Sequence, residues 1–151
     1  MGIPSVKDLR ALAYPRDVKA LRLRPREFAA NFCDLHLDLF ACAPNDLLVY
    51  FLARFTCGER MKLRVGVGYD GPVKVWLDGK SRFADVRGTN PATPDKALIP
   101  FTAEAGAHEI LAALSANGGR AWGLFLRLLR RDVSLSKLKA GPTAYRMPEW
   151  A

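Results

Sequence analysis

The chain holds little that could perform covalent chemistry. Its 151 residues include two histidines, His36 and His108, and three cysteines, Cys33, Cys42 and Cys57, with no metal-ligand spacing. There is no Gly-x-Ser-x-Gly nucleophile elbow, and nothing reads as a phosphate-binding loop or a dinucleotide fingerprint. Cys57 has only Arg60 nearby to activate it, so no nucleophilic thiol is expected. An odd cysteine count leaves at least one thiol unpaired within the chain. That fits a reducing compartment, or a piece of a longer secreted chain. No apolar run approaches membrane-spanning length, and residues 1–30 are charged throughout, without an apolar signal core. Membrane insertion is therefore not expected. Localisation stays open, and is extracytoplasmic if the segment belongs to a secreted enzyme.

What is present is the punctuation of an all-β chain. Asp70-Gly71 and Asp78-Gly79 have the turn chemistry of tight hairpins, which need positive backbone angles. Between them Val73, Val75 and Leu77 alternate with Lys74 and Trp76, the period of a half-buried strand. Alternation also marks 32–40, with Leu35, Leu37 and Leu39 opposite Asp34, His36 and Asp38, and 61–68, with Met61, Leu63, Val65 and Val67 opposite Lys62 and Arg64. The apolar run 47–56 predicts a central strand covered on both faces. Further strands are expected over 81–86, 97–102, 108–115 and 122–130, with Asn117-Gly118 as a hairpin turn before the last. Residues 5–13 suggest a short helix that buries Val6, Leu9 and Leu12 and ends before Pro15. Residues 85–96, with Pro91, Pro94 and Gly88, form the longest irregular loop.

About eight strands at regular spacing predict an all-β sandwich or jelly roll. The expected organisation is a basic wrapping segment over 1–31, the sandwich over 32–131 and a tail over 132–151. The net charge is +8, and its excess sits in the ends. Residues 1–30 hold seven basic side chains against three acidic, and residues 120–151 seven against two. The basic ends, with Tyr145 and Trp150, could track an anionic polymer. Nucleic acid is not expected, because the β core is balanced in charge and carries no reader motif.

Four segments in order carry a resemblance: Tyr69 to Lys80, Gly88 to Ala92, Gly106 to Ile110 and Asn117 to Gly123. Over roughly residues 32–131 the chain resembles the galactose-binding-like jelly roll, an accessory domain of bacterial glycoside hydrolases and sugar esterases. The resemblance implies a non-catalytic carbohydrate-binding module, accessory to a parent sugar-processing enzyme, whose loops at one end build the site. His108 then takes a structural place at the start of a late strand. No cofactor is implied beyond a structural calcium. Its oxygen donors would come from Asp46, Asp70, Asp85, Asn90 and Asp95, which no spacing gathers.

Sugar rings stack on aromatic faces, so Trp76 and Trp122 are the candidate platforms. Trp122 shares a face with Leu124 and Leu126, which argues for the core. Trp76 falls out of phase with Val73, Val75 and Leu77 and is the better platform. Arg87, Asn90, Asp95 and Lys96 in the long loop, with Arg120 on the last turn, supply hydrogen bonds to hydroxyls. The basic balance favours an acidic or sulfated oligo- or polysaccharide. The alternative is a structural or oligomerisation sandwich without a ligand. Coverage of a sheet face carrying Trp76, Lys74, Arg64 and Lys62, by residues 1–31 or another subunit, would favour that alternative.

Overall fold

The computed structural model describes residues 6–16, 21, 23, 25, 32–34, 48–141 and 145–150. Among these are nine strands: β1 Phe32–Asp34, β2 Leu48–Cys57, β3 Met61–Tyr69, β4 Val73–Leu77, β5 Lys80–Asp85, β6 Ala97–Ala103, β7 Gly106–Ser115, β8 Gly123–Arg130 and β9 Glu149–Trp150. They form two antiparallel sheets, one in the order β1-β8-β3-β6 and the other β5-β4-β7-β2-β9. The protein is a β-sandwich. Seven of the eight expected strands match β2 to β8, and the first matches β1 as far as Asp34. The rest of that alternation, with His36 and Asp38, lies outside the described residues, as do Cys42 and Asp46.

Between the sheets lies one continuous core. Alternate residues of β3 (Met61, Leu63, Val65, Val67), β4 (Val73, Val75, Leu77), β6 (Ile99, Phe101) and β8 (Leu124) are buried in it. β2 has apolar neighbours on both sides over its first half, but Arg54 and Thr56 are exposed, so it is not the fully covered strand that its apolar run predicts. Val49, Phe51 and Phe55 face the core, while Leu48, Tyr50 and Leu52 face a second cluster around Trp76 and Leu111.

The turn at Asp70-Gly71 differs from the expected hairpin. β3 and β4 belong to different sheets, so this turn carries the chain across the sandwich. Neither residue has a positive φ. Gly71 is needed because an added Cβ would come within 2.4 Å of the Ser115 carbonyl oxygen. Asn117-Gly118 does take positive φ, 51° and 65°, yet it too crosses between sheets, from β7 to β8. The one hairpin between consecutive described strands is β4–β5, at Asp78 (φ 50°) and Gly79 (φ 78°).

The N-terminal segment forms a 3-10 turn over Val6–Ala11 rather than an α-helix. Leu9 is fully buried, and Leu12 and Tyr14 pack on the outer side of the five-stranded sheet. At the other terminus the buried Arg130 guanidinium joins Glu59 and Asp132, both at 2.8 Å, to the Arg146 carbonyl at 2.7 Å. That bonding ties the final segment back to the sandwich, where β9 pairs with β2 and Trp150 meets Phe55 edge-on. A short helix, α1 (Leu135–Ala140), lies between.

His108 is held by hydrogen bonds and ring contacts within the sandwich. Its Nδ1 lies 2.8 Å from Asp78 Oδ2 and its Nε2 2.7 Å from the Glu104 carbonyl. Both partners can only accept, so the arrangement suits the doubly protonated ring. The ring stacks on Phe55 and meets Phe101 edge-on. Burial opposes the charge, but Asp78 and the Glu104 carbonyl outweigh it and hold the pKa above the usual histidine value.

Candidate functional site at the loop end

One end of the sandwich gathers the Asp70–Pro72 crossing, the loop over 86–96 and the turn over 116–122. Asp70 organises it. Its carboxylate is almost fully buried and accepts the Trp122 backbone N–H at 2.6 Å and the Gly123 N–H at 3.4 Å. Asn90 Nδ2 donates to the same carboxylate at 3.4 Å and to the Arg120 carbonyl at 2.9 Å. Burial raises the pKa of Asp70, and the backbone N–H groups of Trp122 and Gly123, with the Lys96 charge, work against that rise. Asn117 Nδ2 reaches the Asp70 carbonyl and Thr89 Oγ1, each at 3.3 Å. Lys96 Nζ donates to the carbonyls of Tyr69 (3.1 Å), Thr89 (2.7 Å) and Pro91 (3.2 Å) and lies over the Tyr69 ring.

The expected site residues therefore divide. Asn90, Asp95 and Lys96 hold the loop in place rather than presenting themselves to a ligand. Asp95 pairs with Arg127 through both carboxylate oxygens, Nε lying 2.7 Å from Oδ1, and Arg127 keeps its carboxyl below the usual range. Arg87 and Arg120 are exposed at this end. Trp122 is 53% exposed, against the expectation of a core position. Leu124 is buried, and Leu126 and Leu128 pack against the core. The phase was legible, but β8 starts at Gly123, and Trp122 lies on irregular backbone before it.

Trp76 corrects the reading in the opposite direction. Its side is indeed opposite that of Val73, Val75 and Leu77, but it is only 2% exposed. Tyr14 meets its ring edge-on, and Leu12 packs beside it. Lys74 is 5% exposed and donates from Nζ to the carbonyls of Arg10 at 2.5 Å and Leu12 at 2.7 Å. No sugar can stack there. Lys62 and Arg64 do not share that face, because β3 belongs to the other sheet.

Of the acids named as calcium donors, Asp46 lies outside the described residues and the other three are engaged elsewhere. Asp85 accepts the Tyr69 hydroxyl at 2.8 Å and the Arg87 backbone N–H at 2.9 Å, and Asp70 and Asp95 are bound as above. Among the described residues no three His, Cys, Asp or Glu side chains gather as a metal site. Burial pushes the Cys33 thiol up to about 11 and raises that of Cys57. Contrary to the sequence reading, Gly66, Gly68 and Gly71 do have the Gly-x-Gly-x-x-Gly spacing of a dinucleotide-binding turn, but they lead from β3 into β4, with no helix to hold a phosphate. An open groove of about 420 Å³ lies at the opposite end, lined by Thr56, Gly58, Tyr145, Arg146, Met147 and Glu149.

The role of Asp70 was missed in the sequence, where Asp-Gly reads as turn chemistry alone. No local signal ties it to Trp122, 52 residues away.

No known protein-family profile matches the chain, and no curated protein matches it. Among solved structures, a β-glucosidase from Kluyveromyces marxianus is similar over 58% of this chain and 11% of its own, with a TM-score of 0.45 and 10% sequence identity. A likeness of that size carries no argument about what this chain does.

Proposed function

We propose that the protein is a non-catalytic carbohydrate-binding module of the galactose-binding-like kind, with its platform at Trp122 rather than Trp76. The observation that carries the reading is the placement of Trp122. Its ring is half exposed, while its backbone is anchored by the buried Asp70 carboxylate. An anchored backbone reduces the freedom lost when a sugar stacks on the ring. Arg120 and Arg87, exposed at the same end, would supply hydrogen bonds to hydroxyl or acidic groups. The module would serve as an accessory domain to a sugar-processing enzyme.

The second reading is a structural sandwich without a ligand. Two observations favour it: the N-terminal segment covers the Trp76 face, and Asn90, Asn117 and Lys96 bond inward. Titration with neutral and acidic oligosaccharides, followed by tryptophan fluorescence, separates the two. Saturable binding lost in Trp122→Ala supports the module. Folded protein with no response to any sugar sinks it in favour of the structural reading.

A further inference from the structure

The outer face of the four-stranded sheet carries an uncompensated cluster of positive charge. Residues of β3 that point away from the core are Lys62, Arg64, Gly66 and Gly68. The loop lies over the last two: a Cβ on Gly66 would come within 2.1 Å of Asp95 Oδ1, and one on Gly68 within 2.2 Å of the Thr93 carbonyl. The other half of the face stays open. There Lys62 stands between Thr102 on β6 and Arg131, whose N–H donates to the Lys62 carbonyl at 2.8 Å. Arg64 stands between Pro100 and Leu129. Lys62, Arg64, Arg131, Pro100 and Thr102 are all exposed.

Like charges directly opposite across a ladder destabilise a sheet. Lys62 and Arg131 are such a pair, with Arg64 two residues along. Neighbouring acids offer no relief, because each is committed to another arginine: Asp95 to Arg127, and Glu59 and Asp132 to Arg130. None of the three cations has a carboxylate partner among the described residues. A local rule broken without a compensating contact marks a surface kept for something outside the fold.

We propose that this face docks a linear sulfated polysaccharide. Strand geometry roots Lys62 and Arg64 about 7 Å apart along β3, with Arg131, just past the end of β8, rooted about 5 Å across from Lys62. That spacing suits closely repeated sulfates on one chain. The guanidinium groups of Arg64 and Arg131 can each grip a sulfate by two parallel hydrogen bonds. The open half of the face carries no exposed aromatic ring, so it lacks the stacking platforms of single-strand nucleic-acid binders. The proposal does not rest on the loop-end site.

Dextran sulfate tests it, with uncharged dextran and duplex DNA as comparators, by titration at low and moderate salt. Dextran sulfate should bind and uncharged dextran should not, with affinity falling as salt rises. Lys62→Glu/Arg64→Glu should weaken binding at least tenfold. Lys80→Glu/Arg82→Glu makes the same charge change on exposed residues of β5 in the other sheet, and should weaken it no more than about threefold. If the glutamate pair fails to fold by circular dichroism, Lys62→Gln/Arg64→Gln replaces it. Equal losses in the two charge-matched pairs would reduce the effect to net charge and overturn the proposal. So would absence of binding at low salt, or tighter binding of duplex DNA through the same two residues.

Discussion

Two strands of this protein carry the same pattern and meet opposite fates. Met61-Lys62-Leu63-Arg64-Val65 in β3 and Val73-Lys74-Val75-Trp76-Leu77 in β4 each alternate apolar residues with a basic or amphipathic one. In both, the apolar set faces the core. The other set is exposed in β3, while Lys74 and Trp76 are buried in β4. The difference comes from residues 9–14, which lie across the five-stranded sheet. Their backbone carbonyls receive the Lys74 ammonium, and Leu12 and Tyr14 pack on Trp76. A lysine can be buried when carbonyls replace its water, though the loss of solvent still lowers its pKa. Alternation thus states which side of a strand a residue is on. It does not state what lies on that side.

The comparison can be broken most forcefully at Trp76. Trp76→Ala empties a buried indole site and should cost about 3–5 kcal/mol, measured by urea denaturation. A loss below about 1 kcal/mol would mean the N-terminal cover contributes little. Removing the cover from the other side is the next test. Leu12→Ala/Tyr14→Ala removes the two side chains that pack on Trp76 and should raise acrylamide quenching above the level already set by the exposed Trp122 and Trp150. Unchanged quenching would contradict the packing described.

Asp70→Ala leaves the Trp122 and Gly123 N–H groups without their acceptor and should cost about 1–3 kcal/mol. It should also alter any sugar response that Trp122 gives, whereas Trp76→Ala should not.

His108 adds a pH dependence. Its folded pKa is raised, so the charged ring contributes stability that is fully present below the unfolded value of about 6.5. That contribution is lost as pH rises through the folded value. Stability should therefore decline across that window in the native chain, and the step should vanish in His108→Gln. A step that persists in His108→Gln would assign it to another group. The smallest effect belongs to the open face, where Lys62→Ala should change stability by less than about 0.5 kcal/mol. A larger loss would show that something in the fold leans on that lysine.

The strand pattern was legible because it depends on period and turn residues alone. β2 to β8 fall where alternation and the Gly, Pro, Asn and Asp clusters put them. Sheet membership was not legible. Asp70-Gly71, Asn117-Gly118 and Asp78-Gly79 look alike in sequence, yet the first two cross between sheets and only the third closes a hairpin. The loop end was legible as a place, and its chemistry only in part. Asn90, Asp95 and Lys96 look like ligand-binding side chains, but each is bonded to backbone or to Arg127 across long sequence separations.

The sequence by itself determined an all-β chain, the strand phases, the long irregular loop and the excess of positive charge. These follow from residue size, polarity and backbone freedom over a few positions. Only the tertiary structure decided which tryptophan is covered, which lysines face solvent, and that Asp70 holds Trp122 in place. Those outcomes rest on contacts between segments tens of residues apart, where burial and hydrogen bonding depend on what the rest of the chain brings alongside.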